Sequence, residues 1–290
     1  MLNALSVDVE DYYHVSAFES VVRLEDWGSR ESRVERNTYR VLDLFDEYQV
    51  KGTFFVLGWV AERNPALVRV ISQRGHEIAS HGYAHELIYR QTPEQFRAET
   101  RRAKRAVEDV TGEPVLGYRA ASYSITDKSF WALDILAEEG FAYDSSIFPI
   151  RHDRYGIPHH TRFFHFLNET GHQRIAEVPL STVRFAGINF PIAGGGYFRV
   201  LPYFLTHLAL RYLNRQEGEP GVFYFHPWEI DPDQPRISAG WLSRFRHYTN
   251  LRRMEAKLQK LLSNFSFAPI REVYAIGSGV SSHSVKSDAA

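Results

Sequence analysis

The stretch Lys51-Gly52-Thr53-Phe54-Phe55-Val56-Leu57 decides how the first two thirds of the chain are interpreted. Its β-branched and aromatic residues, which follow a glycine, are typical of a buried strand. Apolar residues at helical spacing precede it over residues 36–48, and a second helical pattern follows it from Pro65 to Gln73, where Gly75 ends it. A strand between two amphipathic helices predicts a parallel sheet covered by helices.

The same alternation continues in both directions along the chain. Thr92-Pro93-Glu94-Gln95 has the residues of a helix start, and that helix should run to about residue 110. Further strands are predicted over residues 2–9, 77–79, 115–118, 141–143 and 222–225, and further helices over residues 129–139 and 242–262. The predicted fold class is therefore α/β.

Two other segments do not follow this alternation. Between residues 149 and 202 the pattern weakens, and Gly194-Gly195-Gly196 predicts a loop with an unusual backbone. No Gly-Lys-Ser/Thr follows it, as a phosphate-binding loop would require. Because no interior linker or repeat is visible, we predict one domain over residues 1–277, followed by a disordered tail over residues 278–290.

Composition excludes several classes of function. The formal net charge is -1, from 34 basic and 35 acidic residues, which predicts no electrostatic binding to nucleic acid or to an anionic membrane. The chain has no cysteine, so His and carboxylate side chains are the candidate metal ligands. We expect no transmembrane segment, because no 18-residue apolar run occurs. Met1-Leu2-Asn3-Ala4 lacks the features of a signal peptide, so the expected location is the cytoplasm, including the inner membrane face.

The ends of three predicted strands carry candidate functional residues. Ser6-Val7-Asp8-Val9-Glu10-Asp11 places three carboxylates together, which would repel each other without a cation or an arginine among them. Ser80-His81-Gly82-Tyr83-Ala84-His85 places two histidines four residues apart, where a helical turn would let both bind one metal. Phe225-His226-Pro227-Trp228-Glu229 holds a histidine on a stiff turn, and Arg119 closes the fourth strand.

These residues together form a minimal set for metal-assisted hydrolysis. Side chains just beyond the carboxyl ends of parallel strands meet on one face of the sheet. There, a carboxylate could take a proton from water, a His-His-carboxylate site could hold the metal, and a further histidine could protonate the leaving nitrogen. Such a set predicts hydrolysis but does not choose which amide is cleaved.

The ordered set of motifs resembles the NodB-type polysaccharide deacetylases, carbohydrate esterase family 4, and especially the branch found beside exopolysaccharide and PEP-CTERM/exosortase loci. The resemblance runs from Asn3 to about Tyr274 and also includes Gly117-Tyr118-Arg119-Ala120 and Tyr143-Asp144-Ser145-Ser146. It implies a distorted (β/α) barrel with about seven strands.

The same resemblance assigns roles to individual residues. It implies that Asp8 is the catalytic base, that Arg119 orients this base, and that His226 is the catalytic acid. His81 and His85 match the metal-binding histidines, for Zn²⁺ first and Co²⁺ or Ni²⁺ as alternatives. The third ligand is Glu10 or Asp11, and Trp228 is a candidate for substrate binding.

The sequence departs from the family pattern in several places. Asp8 is not followed directly by a second aspartate, Ala121 stands where proline is usual, and Tyr224 stands where leucine is usual. The Asp/Trp motif that often flanks the pocket is not recognisable, and Asp144 could replace only part of it. These departures affect the choice of substrate more than the expectation of hydrolysis.

The favoured function is N-deacetylation of a GlcNAc-type residue in an exopolysaccharide or in its lipid-linked precursor. The alternative is an amide hydrolase of small molecules, either allantoinase-like or a sugar deformylase. A catalytically dead carbohydrate binder is the third hypothesis, and the presence of Asp8, His81, His85 and His226 argues against it.

Overall fold

A curled sheet of nine strands, eight of them parallel, lies at the centre of the described part of the chain. The computed structural model describes residues 1–167 and 174–277. Within these residues the strands are β1 (Leu2–Val9), β2 (Thr53–Val56), β3 (Glu77–Ser80), β4 (Gly117–Tyr118), β5 (Tyr143–Asp144), β6 (His165–Leu167), β7 (Ile175–Glu177), β8 (Thr182–Phe185), β9 (Ile188–Pro191), β10 (Val222–Phe225) and β11 (Ser266–Ala268). The order across the sheet is β10-β1-β2-β3-β4-β5-β7-β6. Within this sheet, as far as the described residues show, only β6 is antiparallel to its neighbour, and β11 pairs in parallel with the first residues of β1. β8 and β9 form a separate antiparallel hairpin.

Helices cover this sheet along most of the chain. They are α1 (Val34–Glu47), α2 (Gly58–Arg63), α3 (Pro65–Gln73), α4 (Pro93–Thr111), α5 (Trp131–Glu138), α6 (Gly195–Val200), α7 (Tyr203–Tyr212), α8 (Trp241–Tyr248), α9 (Leu251–Asn264) and α10 (Ile270–Val273). The predicted α/β fold with about seven barrel strands is confirmed. Among the described residues, none of the helices combines the length and the hydropathy that a bilayer crossing demands.

The predicted start of α4 is present in full. The backbone N–H of Gln95 donates to the Thr92 hydroxyl, and the Gln95 side chain accepts from the Thr92 N–H at 2.8 Å. The helix ends at Gly112, whose φ of 70° lies in the left-handed region that glycine adopts without strain.

The prediction of one helix over residues 242–262 is wrong. α8 ends at Tyr248 and α9 begins at Leu251. Asn250 between them has a φ of 58°, a conformation that asparagine tolerates better than most residues and that cannot continue a right-handed helix. The predicted tail over residues 278–290 lies outside the described residues.

The carboxyl ends of the parallel strands lie at one edge of the sheet. β1 pairs in register with β10 on one side and β2 on the other, which places Val7 opposite Phe225 and Asp8 opposite Phe55. Ser80 at the end of β3 pairs with Tyr118 at the end of β4. The residues that follow these strands therefore meet above the barrel, where the candidate site lies.

Candidate active site

Five of the residues selected from the sequence line one cavity. Its volume is about 210 Å³, and its polar lining includes Asp8, Glu10, His81, His85 and His226. They reach it from the ends of β1, β3 and β10. Residues separated by more than 200 positions in the chain thus share one small space at the edge of the sheet.

Three of these side chains form a candidate metal centre. One ligand atom from each of Glu10, His81 and His85 can be chosen so that all three lie within 4.8 Å of one another. Nδ1 of His81 is 2.8 Å from the carbonyl oxygen of Arg119. Because a carbonyl can only accept, this nitrogen must carry the proton, which leaves the lone pair of Nε2 free for a metal.

The loop that carries the two histidines is not the helical turn expected from their spacing. Gly82 and His85 both have left-handed backbone conformations, with φ of 73° and 54°. The loop is instead held by Glu99 of α4, whose carboxylate accepts hydrogen bonds from the N–H groups of Tyr83 and Ala84 at 3.2 and 2.9 Å. Glu99 gave no signal in the sequence, because its partners are backbone groups from another element.

The chemistry of this group fits a divalent cation. Oε2 of Glu10 lies 3.0 Å from Nε2 of His85 but accepts no well-formed hydrogen bond within the described part of the chain, and Nδ1 of His85 has no partner there either. Burial raises the pKa of Glu10 to about 7, although His226 opposes this shift. Burial also lowers the pKa of His81 and of His85, which keeps both imidazoles neutral. Two neutral imidazoles and a carboxylate that needs a positive neighbour are the ligands that zinc and similar ions prefer.

Asp11 lies away from this group and has a structural role. Its Oδ2 accepts hydrogen bonds from the Ser32 hydroxyl and from the N–H groups of Arg33 and Val34, at the start of α1. Its Oδ1 accepts from the N–H of Tyr12. Of the two alternatives for the third ligand, the structure brings Glu10 and not Asp11 to the histidines.

Asp8 is held by Arg119 on the floor of the cavity. Nη1 of Arg119 donates to Oδ1 of Asp8 and to the Ser6 hydroxyl, each at 2.8 Å. Its other nitrogens donate to the carbonyl and hydroxyl of Ser145, so this fully buried guanidinium is fixed from several sides. Burial would raise the pKa of Asp8, but Arg119 and the two histidines His81 and His226 lower it below its ordinary value. Asp8 is therefore ionised.

His226 is held by a carboxylate from its own turn. Nδ1 of His226 lies 2.6 Å from Oε1 of Glu229, and Oε2 of Glu229 accepts from Nε of Arg199 at 2.7 Å. Nε2 of His226 points towards the acids of β1, 3.4 Å from Glu10 and 3.9 Å from Asp8. Burial would lower the pKa of His226, but Glu10, Glu229 and Asp8 raise it to about 9. The imidazole is therefore protonated near neutral pH.

Sequence reasoning missed the two residues that hold His226. Glu229 could have been found, because it stands three residues after His226 beyond a proline, a spacing that returns a side chain to the start of the turn. Arg199 lies in the segment with the weakest pattern and offered no comparable signal.

The structure contradicts the expectation that Trp228 offers its ring to a sugar. Only 4% of Trp228 is exposed, and its ring stacks between His226 and His247. Its indole N–H donates to Oε1 of Glu10 at 3.3 Å. Trp228 therefore supports the candidate ligand and the candidate acid from below, and it is not a surface on which a sugar could stack.

Asp144 and His14 both lie outside the cavity lining. Asp144 accepts from the backbone N–H and the hydroxyl of Ser146 and is fully buried, so it shapes the turn after β5. His14 follows the acidic motif after β1. Its ring is buried against Trp27 and Trp59, and burial lowers its pKa well below the ordinary value. Neither residue is placed to exchange protons with a bound substrate.

The glycines predicted to form a loop instead begin α6, whose Gly196 lines the cavity together with Tyr224. Gly194 and Gly195 have φ values of 129° and 53°, as the sequence predicted for an unusual backbone. A Cβ atom on Gly194 would lie 1.8 Å from the carbonyl oxygen of Tyr224, and one on Gly195 would lie 2.7 Å from its hydroxyl. Only glycine fits at these positions, because the backbone at the start of α6 passes directly against the tyrosine that replaces the usual leucine.

The two halves of the chain match two different protein families. Residues 25–142 match the polysaccharide deacetylase family, and residues 145–275 match a domain of unknown function, DUF3473. His81, His85 and Arg119 lie in the first region, His226 lies in the second, and Asp8 and Glu10 precede both.

The names of similar curated proteins describe them as deacetylases of glycans. The chain is 32% identical over 97 residues to a chitooligosaccharide deacetylase from Bradyrhizobium sp. (strain ANU 289), covering 33% of this chain and 42% of the relative. It is 33% identical over 93 residues to a peptidoglycan-N-acetylglucosamine deacetylase from Bacillus cereus, covering 32% and 43%. The chain thus spans less than half the length of these relatives.

Solved structures with the same fold cover nearly the whole chain. A crystal structure from Mycobacterium smegmatis that was assigned to the polysaccharide deacetylases has a TM-score of 0.62 and 22% identity, covering 99% of this chain and 94% of the other. The PuuE allantoinase has a TM-score of 0.59 and 16% identity, covering 94% and 88%. At these identities the likeness concerns the fold. The resemblance to the NodB-type polysaccharide deacetylases is confirmed, and the chain has their fold.

Proposed function

We propose that this protein is a metal-dependent hydrolase that removes N-acetyl groups from GlcNAc-type residues of a glycan. The observation that supports it most directly is the convergence of Glu10, His81 and His85 beside an ionised Asp8 and a protonated His226. This cavity offers a place for a cation, a base and an acid within one small volume.

Glu10, His81 and His85 would hold the cation, with Zn²⁺ as the first choice and Co²⁺ or Ni²⁺ as alternatives. When bound, a divalent cation supplies Lewis-acid polarisation of the amide carbonyl and makes a water molecule more acidic. Trp228 orients Glu10 through its indole N–H, and the Arg119 carbonyl fixes the ring of His81.

Asp8 acts as the general base in this proposal. Arg119 keeps its carboxylate ionised and fixes Oδ1, which leaves Oδ2 to accept a proton from the attacking water. His226 acts as the general acid and donates the proton on Nε2 to the departing amine. Glu229 holds Nδ1 of the same ring, so that Nε2 faces the acids of β1.

We further propose that the substrate is an exopolysaccharide or its lipid-linked precursor, and that residues 1–277 act as one catalytic domain. The similar curated proteins support an N-acetylated glycan by their names. A single domain is supported by the sheet, since β1 pairs with β10 and β2, and so joins the parts of the chain that carry His226 and His81.

Acetate release from chitooligosaccharides by the zinc-loaded full chain tests the proposed activity. We expect release that a chelator abolishes, that zinc restores, and that the His81→Ala/His85→Ala variant lacks. Formylated amino sugars and allantoin serve as comparison substrates. Hydrolysis of either without acetate release would contradict the proposal and favour a sugar deformylase or a small-molecule amide hydrolase.

A further inference from the structure

Two helices near the candidate site expose apolar residues in stripes. On α7, Phe204, Leu208 and Tyr212 are exposed and lie four residues apart, on one side of the helix. On α8, Trp241 and Phe245 are one turn apart and are 78% and 54% exposed. A helix of a globular protein normally turns such a stripe towards the core, so these two stripes lack the usual cover within the described residues.

The helices that carry the two stripes are joined through α6. α6 leads into α7, and the guanidinium of its Arg199 donates to the carbonyl oxygens of Arg246 and His247 in α8, each at 2.8 Å. Val200 at the end of α6 and Phe245 of α8 line the same groove. We call the exposed apolar residues of α6, α7 and α8 the apolar face: Val200, Phe204, Leu205, Leu208, Tyr212, Trp241, Leu242 and Phe245.

The segments that carry the apolar face are rich in exposed arginines, although the whole chain is almost neutral. Residues 195–216 and 236–254, which contain these helices, include no Asp or Glu. Seven of their arginines are exposed: Arg211, Arg215, Arg236, Arg244, Arg246, Arg252 and Arg253. Since the formal net charge is -1, the rest of the chain carries an excess of acidic residues. Positive charge is therefore concentrated in these two segments, a feature that the net charge of the whole chain does not reveal.

A groove connects the apolar face to the candidate active site. It has a volume of about 370 Å³, is lined by Val200, Phe245 and Arg246, and shares Tyr155 and Tyr224 with the cavity that contains Asp8 and His226. A molecule anchored at the apolar face could therefore extend along this groove to the candidate ligands.

We propose that the apolar face docks on the surface of an anionic lipid bilayer. Helices with an apolar face and flanking arginines lie at the membrane interface, where the rings enter the headgroup region and the arginines contact lipid phosphates. A second copy fits this face less well, because a two-fold interface would bring its arginines close to those of the other copy. The proposal goes beyond the chemistry of the site, since it states where the site works and which substrates reach it: glycans attached to a membrane lipid.

Vesicle co-sedimentation of the full chain tests this proposal. We expect binding to phosphatidylcholine vesicles that contain roughly one third phosphatidylglycerol, and much weaker binding to pure phosphatidylcholine. Each substitution of Arg244→Gln and Arg211→Gln should weaken binding about fivefold. Trp241→Ser should weaken it about tenfold, because the ring would no longer leave water.

Matched variants distinguish vesicle binding through the apolar face from binding through any exposed apolar side chain. Leu208→Ser should weaken vesicle binding, whereas Leu24→Ser, at a leucine of comparable exposure beside Glu25 and Asp26, should not. The His81→Ala/His85→Ala variant should bind vesicles like the unmodified protein, so the result does not depend on the proposed catalysis. Equal binding to neutral and anionic vesicles, no binding, or a dimer in sedimentation velocity that Trp241→Ser dissociates would each overturn the proposal.

Discussion

Nδ1 of His226 lies 2.6 Å from Oε1 of Glu229, within a single turn of chain that Pro227 stiffens. The backbone N–H of His226 also donates to this carboxylate at 3.2 Å, and Arg199 binds its other oxygen. The turn therefore presents the histidine with one nitrogen fixed and the other directed into the cavity. A short sequence motif thus supplies both the candidate acid and the group that orients it.

We predict that Glu229→Gln moves the high-pH limb of the activity profile to lower pH. His226 must be protonated to act as an acid, so activity falls as the pH rises through its pKa. Glu229 is one of the groups that raise this pKa, and the neutral amide would raise it less. The profile of kcat/KM against pH measures the shift, which we expect together with at least a roughly tenfold loss of rate. An unchanged high-pH limb in a folded Glu229→Gln protein would show that Glu229 does not tune the acid.

We predict that Asp8→Asn lowers kcat by about 10²–10⁴-fold, because the base that accepts the water proton is lost. Asparagine can still accept a hydrogen bond from Arg119, so the fold and the metal content should be kept. Elemental analysis and steady-state kinetics on the same preparation check both parts. Retention of most of the activity would show that another group accepts the proton.

The sequence predicted the ends of the strands well, because residues within each segment determine where the strand stops. β1, α3 and β10 have the predicted bounds, since an apolar run or a helical period with a clear stop defines each of them. The convergence of Asp8, His81 and His226 followed from the same alternation, because parallel strands deliver their carboxyl ends to one edge.

The sequence could not predict contacts that arise only when distant elements pack. Glu99 reaches the backbone of the histidine loop from α4, and Arg199 reaches Glu229 from α6. The hairpin of β8 and β9 also escaped prediction. Its turn at Ala186 and Gly187 has positive φ at both residues, a conformation usually indicated by Asn-Gly or Asp-Gly.

We predict that the two neighbouring acids Glu10 and Asp11 respond in opposite ways to substitution. Glu10→Gln should lower the metal content, because it removes one of three candidate ligands. Asp11→Asn should keep the metal but lower the free energy of unfolding by roughly 1–3 kcal/mol, since it disturbs three hydrogen bonds at the start of α1 and a fourth from the N–H of Tyr12. Elemental analysis and urea denaturation separate the two effects. Loss of metal only in Asp11→Asn would reverse the assignment.

The last prediction concerns a buried pair of carboxyl groups away from the candidate metal centre. Asp144 of β5 and Glu177 of β7 are register partners in neighbouring strands, and both are fully buried. Burial and the charge of Asp144 raise the pKa of Glu177 well above its ordinary value of 4.5. Glu177 therefore keeps its proton in the folded state beside Asp144, while the unfolded chain loses the proton as the pH rises above 4.5.

The sign of the pH dependence follows from this difference in bound protons. The contribution of the Glu177 proton to the free energy of unfolding is complete below pH 4.5. It declines by about 1.4 kcal/mol per pH unit as the pH rises towards the raised pKa of Glu177. Glu177→Gln should remove this decline, because the amide has no proton to lose in this pH range. The free energy of unfolding of the variant, relative to that of the unmodified protein, should therefore grow with pH, while Glu47→Gln on the exposed side of α1 should show no such trend. Urea denaturation at a series of pH values measures both differences. A constant difference between Glu177→Gln and the unmodified protein across this range would mean that Glu177 is ionised in the fold.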